Sequence, residues 1–308
     1  MTLNSADLIN NANNAGMVVP AFNIPYLPMM EPVIQALVDE DAFGLIETAR
    51  LEWYKFEAQG PDSIAEEFAK WGKPDYVRLH LDHVPVLDED KIEVDYLPII
   101  KEAIDLGYQS VMIDGSRLNL EENIAATKKV VALTQAAGIA CEAELGAVLG
   151  YEAETRPPYE ELFTSGLGFT DVEDASRFVA ETGCDWLSVA IGNIHGAVSG
   201  ALKDQKKVEA RLHIEHLKKL HAATGIPLVL HGGSGVQRTY LLEAIRNGIT
   251  KVNIATEIRQ AYEQEFRRSN DVHNSQQACY QRTLWMLKDY YGLSGTRDKV
   301  FGQAHEGF

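Results

Sequence analysis

The sequence predicts an α/β fold, a (β/α)8 barrel made by one domain, and three observations carry that expectation. A helical stretch repeatedly ends in glycine and an apolar run starts within a few residues: Gly107 before Val111-Met112-Ile113, Gly138 before Ala140-Cys141, Gly183 before Trp186-Leu187-Ser188-Val189, Gly225 before Leu228-Val229-Leu230 and Gly248 before Lys251-Val252-Asn253. Glycine supplies the left-handed conformation that ends a helix and drops the chain straight into a strand. The runs lack polar alternation, which suits strands covered on both faces, as in a parallel sheet. Finally, 308 residues, 45% hydrophobic and 24% charged, accommodate the ~250 residues of one such barrel, and no linker or low-complexity segment divides them. An open doubly wound sheet is the alternative.

Taken in order, a first helix over Ser5 to Asn14 precedes strand one and is expected to plug the barrel floor. Strands are expected to start near Met17, Phe43, Asp75, Ser110, Ala140, Asp185, Leu228 and Lys251. Helical patterns fill the gaps, most clearly over Leu120 to Ala137, Val172 to Glu181, Val208 to Ala223 and Thr239 to Arg246. The core covers about residues 1–265, and a helical extension over about 271–308, including Cys279 to Tyr291, packs on the outside or on a partner subunit.

Acidic residues number 45 against 28 basic ones, a net charge of −17. A chain this acidic has no whole-molecule attraction for phosphate backbones or anionic lipid, so nucleic-acid and membrane-surface roles are disfavoured. A phosphorylated substrate has to be held by local devices. Cys141, Cys184 and Cys279 are far apart and form neither a disulfide framework nor a zinc knuckle. There is no signal-like N-terminus and no uncharged run of membrane-spanning length. A cytoplasmic location is expected.

In such a barrel the active site lies where the strands end. Strand three ends in His80-Leu81-Asp82-His83, strand four in Asp114-Gly115-Ser116, strand five in Glu142-Ala143-Glu144, strand six in Gly192-Asn193-Ile194-His195-Gly196, strand seven in His231-Gly232-Gly233-Ser234-Gly235 and strand eight in Asn253-Ile254-Ala255-Thr256. His83, His195 and His231 thus converge on one mouth. Three neutral imidazoles with an open fourth position make a catalytic zinc site; the plainer reading is three hydrogen-bonded core histidines. His213, His216 and His221 share one helix and read as a solvated face, and His80 as packing inside strand three. Asp82 and His83 are adjacent and face opposite ways in a regular strand, so both serve the mouth only if the pleat breaks there. The glycine-rich loop after strand seven, next to Asn253 and Thr256, has the composition of a barrel phosphate site.

On these residues the chain resembles the class II, metal-dependent fructose-bisphosphate and tagatose-bisphosphate aldolases. The matching segments are Val19-Pro20-Ala21-Phe22-Asn23, His80-Leu81-Asp82-His83, Ser110 to Ser116, Glu142 to Gly146, Val189 to Gly192, Leu228 to Gly235 and Lys251 to Glu257, in unbroken order. The resemblance implies cleavage of a phosphorylated ketose to dihydroxyacetone phosphate and an aldehyde. It makes Asp82 the acid/base at the C4 hydroxyl, His83, His195 and His231 the zinc ligands, and Asp114 and Glu144 supporting or alternate metal residues. Gly196, Gly232, Ser234, Asn253 and Thr256 would hold the phosphate, Asn23 would lie near the sugar, and Arg259 would grip a distal phosphate. A sodium or potassium ion near the phosphate and a homodimer or homotetramer are expected with it. The long loop from Ala147 to Phe169, with Gly150, Gly166 and Gly168, reads as a lid, and Glu152 matches its proton-moving carboxylate.

The chemistry agrees. Splitting a ketose needs an electron sink, either a Lewis-acid metal or a Schiff-base lysine. No strand carries a lysine at its C-terminal end, since Lys251 opens strand eight on the wrong face, and this favours the metal. Several positions depart from the family pattern: Ala49 for a serine, followed by Arg50; Leu149-Gly150 for paired glycines; Ala153 for a second acid; Ile194 before His195; Ser199 for a lysine; Ala255 for an aspartate. Arg50 is a candidate anion holder, its planar fork suiting carboxylate as well as phosphate. A tagatose-type or uncommon phosphosugar is therefore as much expected as fructose 1,6-bisphosphate. A metal-dependent barrel hydrolase or epimerase, or a non-catalytic sugar-phosphate binder, are the alternatives.

Overall fold

Asn4 starts the first helix. Its side chain accepts from the Asp7 amide at 2.8 Å while the Asp7 carboxylate takes the Asn4 amide, satisfying two amides that a helix N-terminus leaves unpaired. The computed structural model describes residues 3–146, 159–193, 210–233 and 236–302. In it, α1 (Ser5–Asn14) leads into a closed barrel of parallel strands in chain order. These are β1 (Val19–Asn23), β2 (Gly44–Ala49), β3 (Val77–Pro85), β4 (Ser110–Asp114), β5 (Ala140–Leu145), β6 (Trp186–Val189), β7 (Leu228–Leu230) and β8 (Ile249–Ile254). Pairing of Val19 with Lys251 and of Ala21 with Asn253 closes the ring, so the open doubly wound alternative falls.

The helices that follow are α2 (Met30–Asp39), α3 (Arg50–Lys55), α4 (Pro61–Trp71), α5 (Tyr96–Asp105), α6 (Leu120–Ala137), α7 (Tyr159–Ser165), α8 (Val172–Thr182), α9 (Ile214–Thr224), α10 (Arg238–Ile245), α11 (Thr256–Ser269), α12 (Val272–Trp285) and α13 (Arg297–Val300). Three differences from the sequence reading have local causes. Strand β8 opens at Ile249, because residues flanking Lys251 continue the ladder with β7 and β1. Helix α9 begins only at Ile214, where the His213 side chain accepts from the His216 amide. Within the expected lid loop, Tyr159–Ser165 is helical. The C-terminal extension starts as α12 at Val272, as read from the sequence, and Asn270 at φ +49° separates it from α11.

Two apolar layers hold the barrel. One lies between strands and helices, where Phe22, Ile46, Leu79, Val111, Leu187 and Ile254 are fully or nearly fully buried. The other is the floor inside the ring: Val19, Ala21, Leu45, Ala140 and Val229 pack on Leu8, Ile9 and Ala12 of α1, which confirms the plug. Side chains alternate across a strand, so the next inward positions, two residues further along, are Asn23, Glu47, Glu142, His231 and, on β8, Lys251. The core changes from apolar to charged within one layer. Helix α12 packs outside, tied to α2 by Tyr280 Oη donating to Asp39 Oδ2 at 2.5 Å. The three cysteines are free and buried, and no helix among the described residues is long and apolar enough to cross a membrane.

Candidate active site

Asp82 sits at the top of β3, beside Ala49 of β2, and is 2% exposed. Its Oδ1 accepts from Asn253 Nδ2 at 3.0 Å and its Oδ2 from Asn23 Nδ2 at 2.9 Å. The next residue breaks the pleat. His83 adopts φ +35°, and the β3–β4 register shifts between Leu81 and Val84. Both neighbours therefore serve one mouth, with the His83 ring 4.4 Å from the His231 ring, centroid to centroid.

Carboxylates surround the two imidazoles. His83 Nδ1 lies 3.0 Å from Asp114 Oδ2 and 4.0 Å from Glu144 Oε2. His231 Nδ1 is 3.0 Å from Glu144 Oε2, and its Nε2 is 2.8 Å from Glu142 Oε1. Ser116 fixes Asp114, its hydroxyl donating to Oδ1 at 2.6 Å. Burial works against protonating either histidine. The Asp82 charge still lifts His83 to about 9, and Glu142 and Glu144 lift His231 to about 10. Burial opposes ionisation of Asp82 too, but the fields of His83, Lys251 and His231 hold it at about 2. The cluster thus demands positive charge. Donor atoms of Asp82, His83 and His231 lie within 4.8 Å of one another, as do those of His83, Asp114 and Glu144. Imidazole nitrogens mixed with carboxylate oxygens fit a divalent cation such as zinc. Glu142, holding His231 Nε2, is the carboxylate that orients such a ligand and fixes its tautomer.

Beneath the mouth lies a charged layer that the sequence did not disclose. Lys251 is fully buried inside the barrel, not on a wrong face, with Nζ 2.9 Å from Glu142 Oε2 and 3.1 Å from Glu47 Oε2. Strands β2, β5 and β8 are not neighbours, so these side chains meet across the interior. Trp186 Nε1 also donates to Glu142 Oε2, at 2.6 Å. Despite burial, Lys251 and the two histidines near it hold Glu142 well below the usual carboxylate range. Glu47 goes the other way, pushed up by burial and then by Asp82. His80 is buried and shares a 2.8 Å hydrogen bond with Ser110 Oγ, as expected of a residue packed inside strand three. Burial, and after it the Lys251 charge, push its imidazole below the ordinary histidine value.

The remaining candidates divide. Gly232 takes φ +69°, and a Cβ on Gly233 would stand 2.4 Å from Val252 Cγ1, so this turn needs its glycines. Thr256 is the first residue of α11, and the Ala255 N-cap offers no side-chain acceptor, leaving helix amides open. Asn253 is engaged at both ends, its Oδ1 accepting from Lys251 Nζ at 2.6 Å. Arg259 is buried, donates to Glu263 Oε1 at 2.8 Å and lies over the Phe56 ring. Arg50 opens α3, and its Nε is buried without a hydrogen-bond partner among the described residues. His216, expected on a solvated face, instead bonds the Thr170 carbonyl at 2.7 Å. Glu152, His195, Gly196 and Ser234 lie outside the described residues.

Sequence reasoning missed Glu52. It is 6% exposed, and its Oε2 accepts from the Ala49 amide at 2.9 Å and from Asn23 Nδ2 at 3.4 Å. Burial pushes it up to about 7, the Asp82 charge adding to this and the Ala49 bond opposing it. The available signal was its place three residues after an alanine that cannot cap its own helix.

Comparison with known proteins identifies relatives. A family model described as fructose-bisphosphate aldolase class-II matches residues 3–295. A 6-phospho-5-dehydro-2-deoxy-D-gluconate aldolase of Halalkalibacterium halodurans is 34% identical over 260 residues, 83% of this chain and 81% of that protein. A fructose-bisphosphate aldolase of Streptococcus pyogenes is 34% identical over 323 aligned positions, covering 99% of this chain and 100% of that one. Among solved structures, the YdjI aldolase of Escherichia coli K12 superposes with a TM-score of 0.75 at 28% identity, over 96% of this chain and 100% of that one.

Proposed function

The chain belongs to the class-II fructose-bisphosphate aldolase family, a family of metal-dependent lyases, and from that premise we propose that it is a zinc enzyme that splits a ketose 1-phosphate into dihydroxyacetone phosphate and an aldehyde. The observation that carries this reading is Asp82, an ionised carboxylate held by two carboxamides beside the His83–His231 pair. His83, His195 and His231 are assigned the ion, with Asp114 and Glu144 in support. When bound, the ion would supply a Lewis acid that stabilises the oxygen charge left as the pair of the breaking bond becomes an enediolate. Asp82 accepts the C4 hydroxyl proton as the C3–C4 bond breaks and returns it in condensation. Its ionised state at neutral pH is the form this needs.

Gly196, Gly232, Ser234 and Thr256 are assigned the substrate phosphate, supported by the uncapped start of α11. Asn253 shares that end of the site, although its carboxamide serves Asp82 first. A sodium or potassium ion is assigned beside the phosphate, and Glu152 the proton at the dihydroxyacetone phosphate carbon. Arg50 is assigned a distal anion, supported by an Nε with no hydrogen-bond partner among the described residues; Arg259, already facing Glu263, takes the lesser share. A distal carboxylate is as well suited as a phosphate, and one relative is named for a phosphorylated gluconate derivative. We assign the chain to one barrel domain with its helical extension outside, working in the cytoplasm as a homodimer or homotetramer. The test is a coupled assay for dihydroxyacetone phosphate over a panel of ketose 1-phosphates, with and without chelator. Release that a chelator abolishes supports the reading. A hydrolysed or epimerised product, or no turnover on any of them, overturns it.

A further inference from the structure

Glu52 has no role in the scheme above, yet its position touches the reacting end of the site. Asn23 offers one amide nitrogen with two hydrogens. One goes to Asp82 Oδ2 at 2.9 Å and the other to Glu52 Oε2 at 3.4 Å. Both partners are buried carboxyl groups. Turning the Asn23 carboxamide over would set its carbonyl oxygen against both of them, so its orientation is fixed from two sides. The carbonyl Oδ1 makes no hydrogen bond among the described residues and is left for the substrate.

We propose that Glu52 is a positioning residue that acts through Asn23: it locks the carboxamide so that its nitrogen holds Asp82 and its oxygen faces the substrate. This rests on the lyase reading and sharpens it. A carbonyl oxygen accepts a hydroxyl proton and repels an anionic oxygen, so the substrate group opposite Asn23 is a hydroxyl rather than the phosphate or a carboxylate. The alternative is a helix-capping acid that does nothing beyond satisfying the Ala49 amide at 2.9 Å.

The experiment compares wild type, Glu52→Gln, Asn23→Ala and the double variant. Each is assayed in metal-loaded form and, without substrate, by urea unfolding at pH 8. Glu52→Gln keeps the size and one oxygen for the two amides that share Oε2, but removes the carboxylate charge that holds the Asn23 nitrogen on that side. It is expected to lower kcat about tenfold with KM within about twofold, and the double variant is expected to be no slower than Asn23→Ala alone. In unfolding, the two single effects on the equilibrium constant should fail to multiply by about fivefold or more. If Glu52→Gln turns over at the wild-type rate, or its effects multiply independently in both measurements, Glu52 is a helix cap only. A wild-type protein inert toward every ketose 1-phosphate would overturn the lyase reading and leave the unfolding cycle to judge the clamp by itself.

Discussion

Lys251 Nζ donates to Asn253 Oδ1 at 2.6 Å, and this turns the asparagine nitrogen toward Asp82, where it donates at 3.0 Å. A lysine in the sealed interior thereby decides which end of a carboxamide meets the Asp82 carboxylate. It also neutralises Glu142, which carries charge in the same layer. Lys251→Met takes the buried cation from Glu142, leaving it His231 and Trp186, and is expected to cost at most about 3–5 kcal/mol, measured by urea unfolding. Adding Glu142→Gln should recover part of the loss; no recovery would show that the pair is not what the lysine stabilises.

His231→Ala should abolish stoichiometric metal, because the site loses an imidazole that Glu142 and Glu144 both orient. Elemental analysis of the purified variant is the measurement. Glu142→Gln should weaken metal affinity about 10–100-fold while both histidines remain, and full affinity in that variant would remove Glu142 from the metal's surroundings.

Asp82→Ala should keep the metal and the fold but lose about 10²–10⁴ in kcat, the range for a positioned acid/base. Steady-state kinetics paired with metal content decide it. An unchanged rate rejects the assignment.

Arg50→Ala is expected to raise KM at least about tenfold for a ketose 1-phosphate with a distal anion, with kcat little changed and a smaller effect on substrates lacking that anion. Fructose 1,6-bisphosphate should be a poor member of the panel. If it is best and its constants ignore the substitution, the departures at Ala49, Arg50 and Ala255 do not set the substrate.

Glu52 titrates near 7 in the fold against an ordinary 4.5. The folded state therefore binds the proton more tightly, and stability falls as pH rises from about 4.5 to about 7, then levels. The loss is on the order of 3 kcal/mol. Urea unfolding between pH 5 and pH 8 should show a steeper fall in wild type than in Glu52→Gln, where only His83 and His231, raised to about 9 and about 10, still add to the slope above about pH 6.5; equal slopes would mean that the carboxyl is not what titrates.

The barrel was legible because both faces of its strands are covered, so Val111-Met112-Ile113 and Leu228-Val229-Leu230 read as unbroken apolar runs. The meeting of Asp82, His83 and His231 at one mouth was legible because chemistry in such a barrel gathers at strand ends. Lys251 and Glu47 were not. A charged residue inside a strand looks like an end or an edge until the strands across the ring are known, and β2, β5 and β8 are far apart in the chain. Glu52 was hidden for a related reason: it sits on helix α3, while Asn23, which it bonds, and Asp82, whose charge it feels, come from β1 and β3. The broken pleat at His83 was anticipated as a requirement, and its left-handed backbone supplies it.

That backbone sets activity and robustness against each other at a single residue. A histidine held at φ +35° sits where glycine is at ease and other residues pay roughly 1–2 kcal/mol. His83→Gly should relieve that strain while removing the imidazole that we assign to the metal. Selection for heat tolerance alone would drift toward glycine here, and selection for turnover would hold the histidine in place. An engineer seeking a sturdier enzyme should leave this strain alone and look for stability elsewhere.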